Sequence, residues 1–193
     1  MKFLGAHRLH QCSFNFRYSI AFLFIPKNAT TSLRTVCKST DWMMYAFCNH
    51  VNAKRIAVII RNPKTRFLSA LNMYMGDRPA PENFLSAGHT IMTTPDEHFI
   101  PQSRFLDGLD PDKLDYFYMG SGTEVDILED VMSYYGIRYM VSYDEDGSKR
   151  NITKQKIVTA VDDNIIRKMY QEDYQLIQSV EFKNNKPSLW QAV

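Results

Sequence analysis

Hydrophobic and polar positions along the chain fall into short apolar runs that alternate with helical stripes. Ser19–Ile25 (Ser-Ile-Ala-Phe-Leu-Phe-Ile) is a continuous apolar run ended by Pro26, which predicts a strand buried on both faces, as in a parallel sheet. Thr30 or Thr31 is placed to cap the helix that follows. Arg55–Ile60 predicts a second buried strand. Pro63 then stands where a first helical turn tolerates proline, ahead of Phe67, Leu68, Leu71 and Met75 at helical spacing. Gly76–Gln102 carries Pro79, Pro81, Pro95, Pro101 and Gly88 with weak periodicity and reads as a long loop. Tyr116–Met119 predicts a third strand. Val125, Leu128, Met132 and Tyr135 share a helical face that Gly136 ends. Arg138–Val141 predicts a fourth strand and Asp144–Asn151 a polar turn. Asp162 or Asp163 caps a last helix with Ile166, Met169 or Tyr170, Asp173 and Ile177 turned inward.

Strands alternating with helices imply an α/β fold, here a single domain over 1–193 with a mostly parallel central sheet flanked by helices. The length of 193 residues suits one domain, for which about 100–200 is usual. Cys12, Cys37 and Cys48 are odd in number and lack a C-x-x-C pair, so neither a disulfide framework nor a zinc site is signalled, and a reducing compartment is expected. Lys+Arg 23 against Asp+Glu 21 leaves +2, too little to favour nucleic-acid or membrane-surface binding. The apolar start Met1–Ala6 is interrupted by His7, Arg8 and His10, and the longest apolar run, Tyr18–Ile25, falls far short of the roughly 20 residues of a membrane span. A cytoplasmic protein with no membrane span is therefore expected. The sequons at Asn28 and Asn151 are read as chance matches.

Charge matters more locally than in total. Basic residues gather at Lys27–Lys38, Lys54–Arg66 and Lys149–Lys156, while Asp107–Asp130 is strongly acidic. In an open α/β sheet ligands bind at the carboxyl ends of the strands, where helix N-termini offer N–H groups to an anion. Pro26-Lys27-Asn28-Ala29-Thr30-Thr31-Ser32-Leu33 occupies such a place, with one ammonium and three hydroxyls suited to a phosphate-like group. It is no Walker A loop, because no glycine occurs between Gly5 and Gly76.

Phe24–Leu33 resembles the 5′-phosphosulfate loop, PKxGxTS, of sulfotransferases that use 3′-phosphoadenosine 5′-phosphosulfate (PAPS), with Ala29 at the glycine position. Arg61-Asn62-Pro63-Lys64-Thr65-Arg66-Phe67-Leu68-Ser69 resembles the same family's 3′-phosphate motif, R-[DN]-P-x-x-R-[FL]-x-S; Arg61 and Ser69 would meet one phosphate from two directions, and Arg66 would brace the loop. Asp96–Gln102 is similar to the DxHxxPQ segment of the carbohydrate sulfotransferase branch. Tyr118–Asp130 and Ile166–Ile177 are similar to two further stretches of that branch, so the likeness runs from about 20 to 178.

The resemblance implies a P-loop-like nucleotide-binding topology, with a PAPS-binding core at about 18–75 and 115–180 and an acceptor loop at about 76–104. It implies PAPS as co-substrate, held by Pro26, Lys27, Asn28, Ala29, Thr30, Thr31, Ser32, Arg61 and Ser69. Lys27 would stabilise the leaving phosphate oxygen and His98 would be the base, its ordinary pKa of about 6.5 lying near working pH, with Glu97 as the other candidate. Glu97, Gln102 and Arg104 would face a hydroxyl-bearing acceptor, a saccharide first among the candidates, and Lys149-Arg150-Asn151 would close over the nucleotide. The scheme needs no metal. A homo-oligomer is compatible with it. Two other readings stand beside it: a small-molecule kinase with an atypical phosphate loop, and a non-catalytic nucleotide-binding module.

Overall fold

Arg-Ile-Ala-Val-Ile-Ile-Arg has no polar position between its two arginines, and such a segment is stable only where both its faces are covered. In the structure, a computed structural model that describes residues 9–37, 41–75, 97–120, 124–138 and 161–184, it forms an interior strand, one in from the edge, of a five-stranded sheet. The strands are β1 (Gln11–Asn15), β2 (Ile20–Leu23), β3 (Trp42–Phe47), β4 (Arg55–Arg61) and β5 (Leu114–Met119), in spatial order β3-β1-β2-β4-β5. The helices are α1 (Thr30–Val36), α2 (Pro63–Met75), α3 (Glu124–Tyr134), α4 (Asp163–Met169) and α5 (Gln171–Ser179).

The α/β class stands, but the sheet is mixed rather than mostly parallel. β2, β4 and β5 run parallel, while β1 lies antiparallel to both β2 and β3. β1 lacks the unbroken apolar run that marks β2 and β4, whereas β3, Trp-Met-Met-Tyr-Ala-Phe, has one but leaves Met43 and Tyr45 exposed. Gln-Cys-Ser-Phe-Asn hides its strand behind three polar residues, although Ser13 and Asn15 are both buried. The turn into β2 is local chemistry: Asn15 Oδ1 accepts from the Tyr18 amide at 3.0 Å, and Ser19 takes a positive φ of 54°.

Ile56, Val58 and Ile60 pack with Leu23, Ile25, Phe105, Leu109 and Ile177 on one face of the sheet. Ala57 and Ile59 join Phe22, Leu33, Leu128, Val131 and Met132 on the other, which α1 and α3 cover. A third cluster, Phe67, Leu71, Phe99, Ile166 and Tyr170, ties α2 to α4.

α3 ends as its sequence requires. Gly136 sits at φ 64°, the Ile137 amide reaches Met132 O at 2.9 Å and the Gly136 amide reaches Ser133 O at 3.0 Å, a closing turn that needs the left-handed conformation. The expected strand Arg138–Val141 does not begin at Arg138, which carries no regular structure; 139–141 lie outside the described residues, as do Gly76–Asp96 and Asp144–Asn151. The single last helix is two. Asp162 caps α4 through the Asn164 amide at 2.7 Å, and the chain bends at Tyr170 (φ −117°) before α5. Its inward face is as expected, with Ile166, Tyr170, Asp173 and Ile177 all buried. Among the described residues no helix is long and apolar enough to cross a membrane.

Candidate functional site

The two loops singled out by sequence leave the carboxyl ends of β2 and β4, which are adjacent and parallel. In the first, Asn28 and Ala29 are buried while Pro26 and Lys27 are partly exposed. Lys27 and Ala29 both adopt left-handed backbone, at φ 69° and 57°. Ala29 is the residue at the glycine position of the resemblance, and the conformation glycine favours is the one found there, at a cost of about 1–2 kcal/mol for a residue with a Cβ. Its methyl group, 1% exposed, packs in the cluster with Leu33, which offsets part of that cost.

Neither Thr30 nor Thr31 caps α1, contrary to expectation. Ala29 holds the N-cap position without a side-chain bond. The Thr30 hydroxyl donates backwards to Ile25 O at 2.7 Å, closing the loop on itself, so its proton is committed within the protein. Thr31 is exposed and Ser32 partly so. α1 is only seven residues long, so the loop backbone and side chains, rather than a long helix dipole, dominate this end of the site.

Arg61 ends β4. Its Nη1 donates to Lys27 O at 3.0 Å and its Nε to Thr65 Oγ1 at 3.2 Å, so its guanidinium joins the two loops. Asn62, which sequence reasoning passed over, caps α2. Its Oδ1 accepts from the Lys64 and Thr65 amides at 3.0 and 3.2 Å, with Pro63 at the first helical position. An asparagine directly before that proline is the signal that marks it. Ser69 lies partly buried on α2, two turns beyond Arg61.

The third segment, 97–102, docks on both loops. Arg66 is fully buried and donates to Pro26 O (3.0 Å), Ile100 O (2.8 Å) and Glu97 O (3.4 Å), the brace expected of it. Burial pushes its pKa below the ordinary guanidinium value, while Tyr170 and Asp173 oppose that shift. The Tyr170 hydroxyl donates to Phe99 O at 2.9 Å. Between these anchors Glu97 is exposed and His98 partly exposed.

Gln102 does not face an acceptor. It is 0% exposed; its Oε1 accepts from Asn28 Nδ2 (2.6 Å) and the Arg61 amide (2.9 Å), and its Nε2 donates to Arg61 O (2.8 Å) and Asp173 Oδ2 (3.3 Å). An amide has two acceptor and two donor positions, and all four are used. Asn28 likewise turns inward, donating also to Ile59 O at 2.7 Å, while its buried Oδ1 has no hydrogen-bond partner among the described residues. Its burial also removes the sequon there from any modifying enzyme's reach. Arg104 is half-exposed but pairs with Glu172 at 2.7 Å and Asp107 at 3.6 Å, which draws it towards α5. Lys149, Arg150 and Asn151 lie outside the described residues.

Other features lie at the far end of the sheet. A cavity of about 390 Å³ is lined by Asn15, Arg17, Tyr18, Asp41, Trp42 and Arg138, none of them a residue singled out by sequence for the site. There too Arg55 forms a two-point ion pair with Asp115, whose Oδ2 also accepts from the Tyr135 hydroxyl at 2.8 Å. Among the described residues no group of three or more His, Cys, Asp or Glu side chains is placed to hold a metal ion. No family model, no curated protein and no solved structure matches this chain.

Proposed function

We propose that this chain is a PAPS-dependent sulfotransferase that transfers a sulfuryl group to a hydroxyl of a carbohydrate acceptor. The reading rests on one observation above the rest: the two motif-bearing loops, 34 positions apart, meet through the Arg61–Lys27 hydrogen bond at the ends of parallel neighbours β2 and β4. The resemblance requires one bisphosphorylated nucleotide to touch both, and the ends of neighbouring parallel strands are where an α/β sheet binds such ligands. On this reading β2–α1, β4–α2 and β5–α3 form the P-loop-like part of the fold, with β1 and β3 added at one edge.

In the proposed reaction, Lys27 and the loop N–H groups hold the 5′-phosphosulfate and Arg61 and Ser69 hold the 3′-phosphate. His98 takes the proton from the acceptor hydroxyl as that oxygen attacks sulfur in line. The S–O bond to the phosphate breaks, and the Lys27 ammonium stabilises the charge that develops on the leaving oxygen. The backbone fits this use. The left-handed turns at Lys27 and Ala29 lead into the first turn of α1, where Thr31 is exposed and Ser32 partly so. The test is transfer of labelled sulfate from PAPS to a panel of saccharides, with Lys27→Ala and His98→Ala as blanks. No labelled product with any acceptor, in a protein that binds the nucleotide, would leave a binding module in its place.

A further inference from the structure

We propose that Gln102 is the positioning residue that couples occupancy of the two nucleotide loops to His98, an inference that rests on the sulfotransferase reading of the site. Three segments distant in sequence share one polar knot. Gln102 engages both the amide and the carbonyl of Arg61, as a neighbouring strand would, at the point where β4 ends; with the same oxygen it accepts from Asn28 in the first loop. Arg66, on the helix that follows the second loop, holds Pro26 of the first loop together with Glu97 and Ile100 on either side of His98. Gln102 and Arg66 are both fully buried, so neither link is exchanged for water without leaving polar groups unpaired.

Asp173 completes the knot. Its Oδ2 accepts from Gln102 and its Oδ1 from the Ser103 amide at 2.9 Å, so the last helix fixes the end of the 97–102 segment from the opposite side. A nucleotide that draws on the backbone of 26–29 or on Arg61 therefore acts on groups Gln102 already holds. Movement at either loop passes to the segment carrying His98 through two or fewer hydrogen bonds. Gln102 itself is buried beneath the loops and serves as a connector rather than a contact for the acceptor.

The test uses 3′,5′-adenosine bisphosphate as probe. In the wild-type chain, saturating bisphosphate should move the imidazole resonances of His98, assigned through His98→Ala. In Gln102→Met, which keeps the volume but deletes both polar ends, that response should fall by at least half while affinity stays within about tenfold. A merely structural brace would lower stability and leave the His98 response in place, and that result overturns the proposal. Absence of binding to the wild-type chain instead fails the sulfotransferase reading, and the proposal with it. Hydrogen exchange on the wild-type chain decides the matter if Gln102→Met does not fold. Bisphosphate should slow exchange across 97–103 as well as in the two loops, and protection confined to 26–32 and 61–66 would overturn the coupling.

Discussion

Arg61 Nη1 donates to the backbone carbonyl of Lys27 at 3.0 Å, so the residue at the end of β4 holds the loop at the end of β2 in place. This contact makes the two loops one surface. On the sulfotransferase reading it gives Arg61 two jobs, to hold the 3′-phosphate and to set the loop that takes the 5′-phosphosulfate.

Arg61→Ala should therefore weaken 3′,5′-adenosine bisphosphate binding by about 10–100-fold, the range for losing a charge-assisted contact. Arg61→Lys should recover little of it, because an ammonium cannot reproduce the fork between Lys27 O and Thr65. Calorimetric titration measures both, and unchanged affinity in the alanine variant would remove Arg61 from the site.

Lys27→Ala should leave the fold intact, since the side chain is partly exposed, and cut sulfuryl transfer by roughly 10²–10³. Turnover equal to wild type with PAPS as donor would take Lys27 out of the mechanism.

Arg66→Met should destabilise the chain by about 2–4 kcal/mol, because three carbonyls lose a buried donor at once. Chemical denaturation reads this directly. A loss below about 0.5 kcal/mol, the level of an ordinary surface change, would mean the clamp is not formed.

Asp115 controls acid stability at the far end of the sheet. Burial opposes its ionisation, but hydrogen bonds from Arg55 and Tyr135 outweigh this and hold its pKa below the ordinary carboxylate value. A lowered folded pKa gives stability that is present above the unfolded value of about 3.9 and is lost as pH falls through the folded one. Asp115→Asn should thus be less stable than wild type at pH 7, and the difference should shrink as pH drops below about 4. A difference constant with pH would contradict the assignment.

Much of this architecture was readable from residue pattern, and the gaps have physical causes. β2 and β4 announced themselves because strands buried on both faces are apolar throughout. β1 did not, because polar residues interrupt it, and β3, apolar throughout, is an edge strand with Met43 and Tyr45 exposed; both are held by antiparallel pairing that no local pattern encodes. Gly136, and Asp162 of the two aspartates offered, follow from helix-end chemistry, whereas no glycine or proline marks the bend at Tyr170, whose hydroxyl is taken up by the distant Phe99 carbonyl. At the site, the place of Lys27 after an apolar strand marks it by residue type, whereas Arg61 and His98 are marked by the resemblance alone; the structure sets the three on segments that Arg61 and Arg66 join. The acceptor-facing place that the resemblance implies for Gln102 does not hold, because its four hydrogen bonds to Asn28, Arg61 and Asp173 come from segments distant in sequence that no local pattern displays.

The central claim is that the two loops bind one bisphosphorylated nucleotide, and titration of the metal-free protein with 3′,5′-adenosine bisphosphate, against ADP and ATP, tests it most directly. The account predicts tight binding of the bisphosphate and much weaker binding of the two nucleotides that lack a 3′-phosphate. Preference for ATP, or no binding of any of the three, would contradict it.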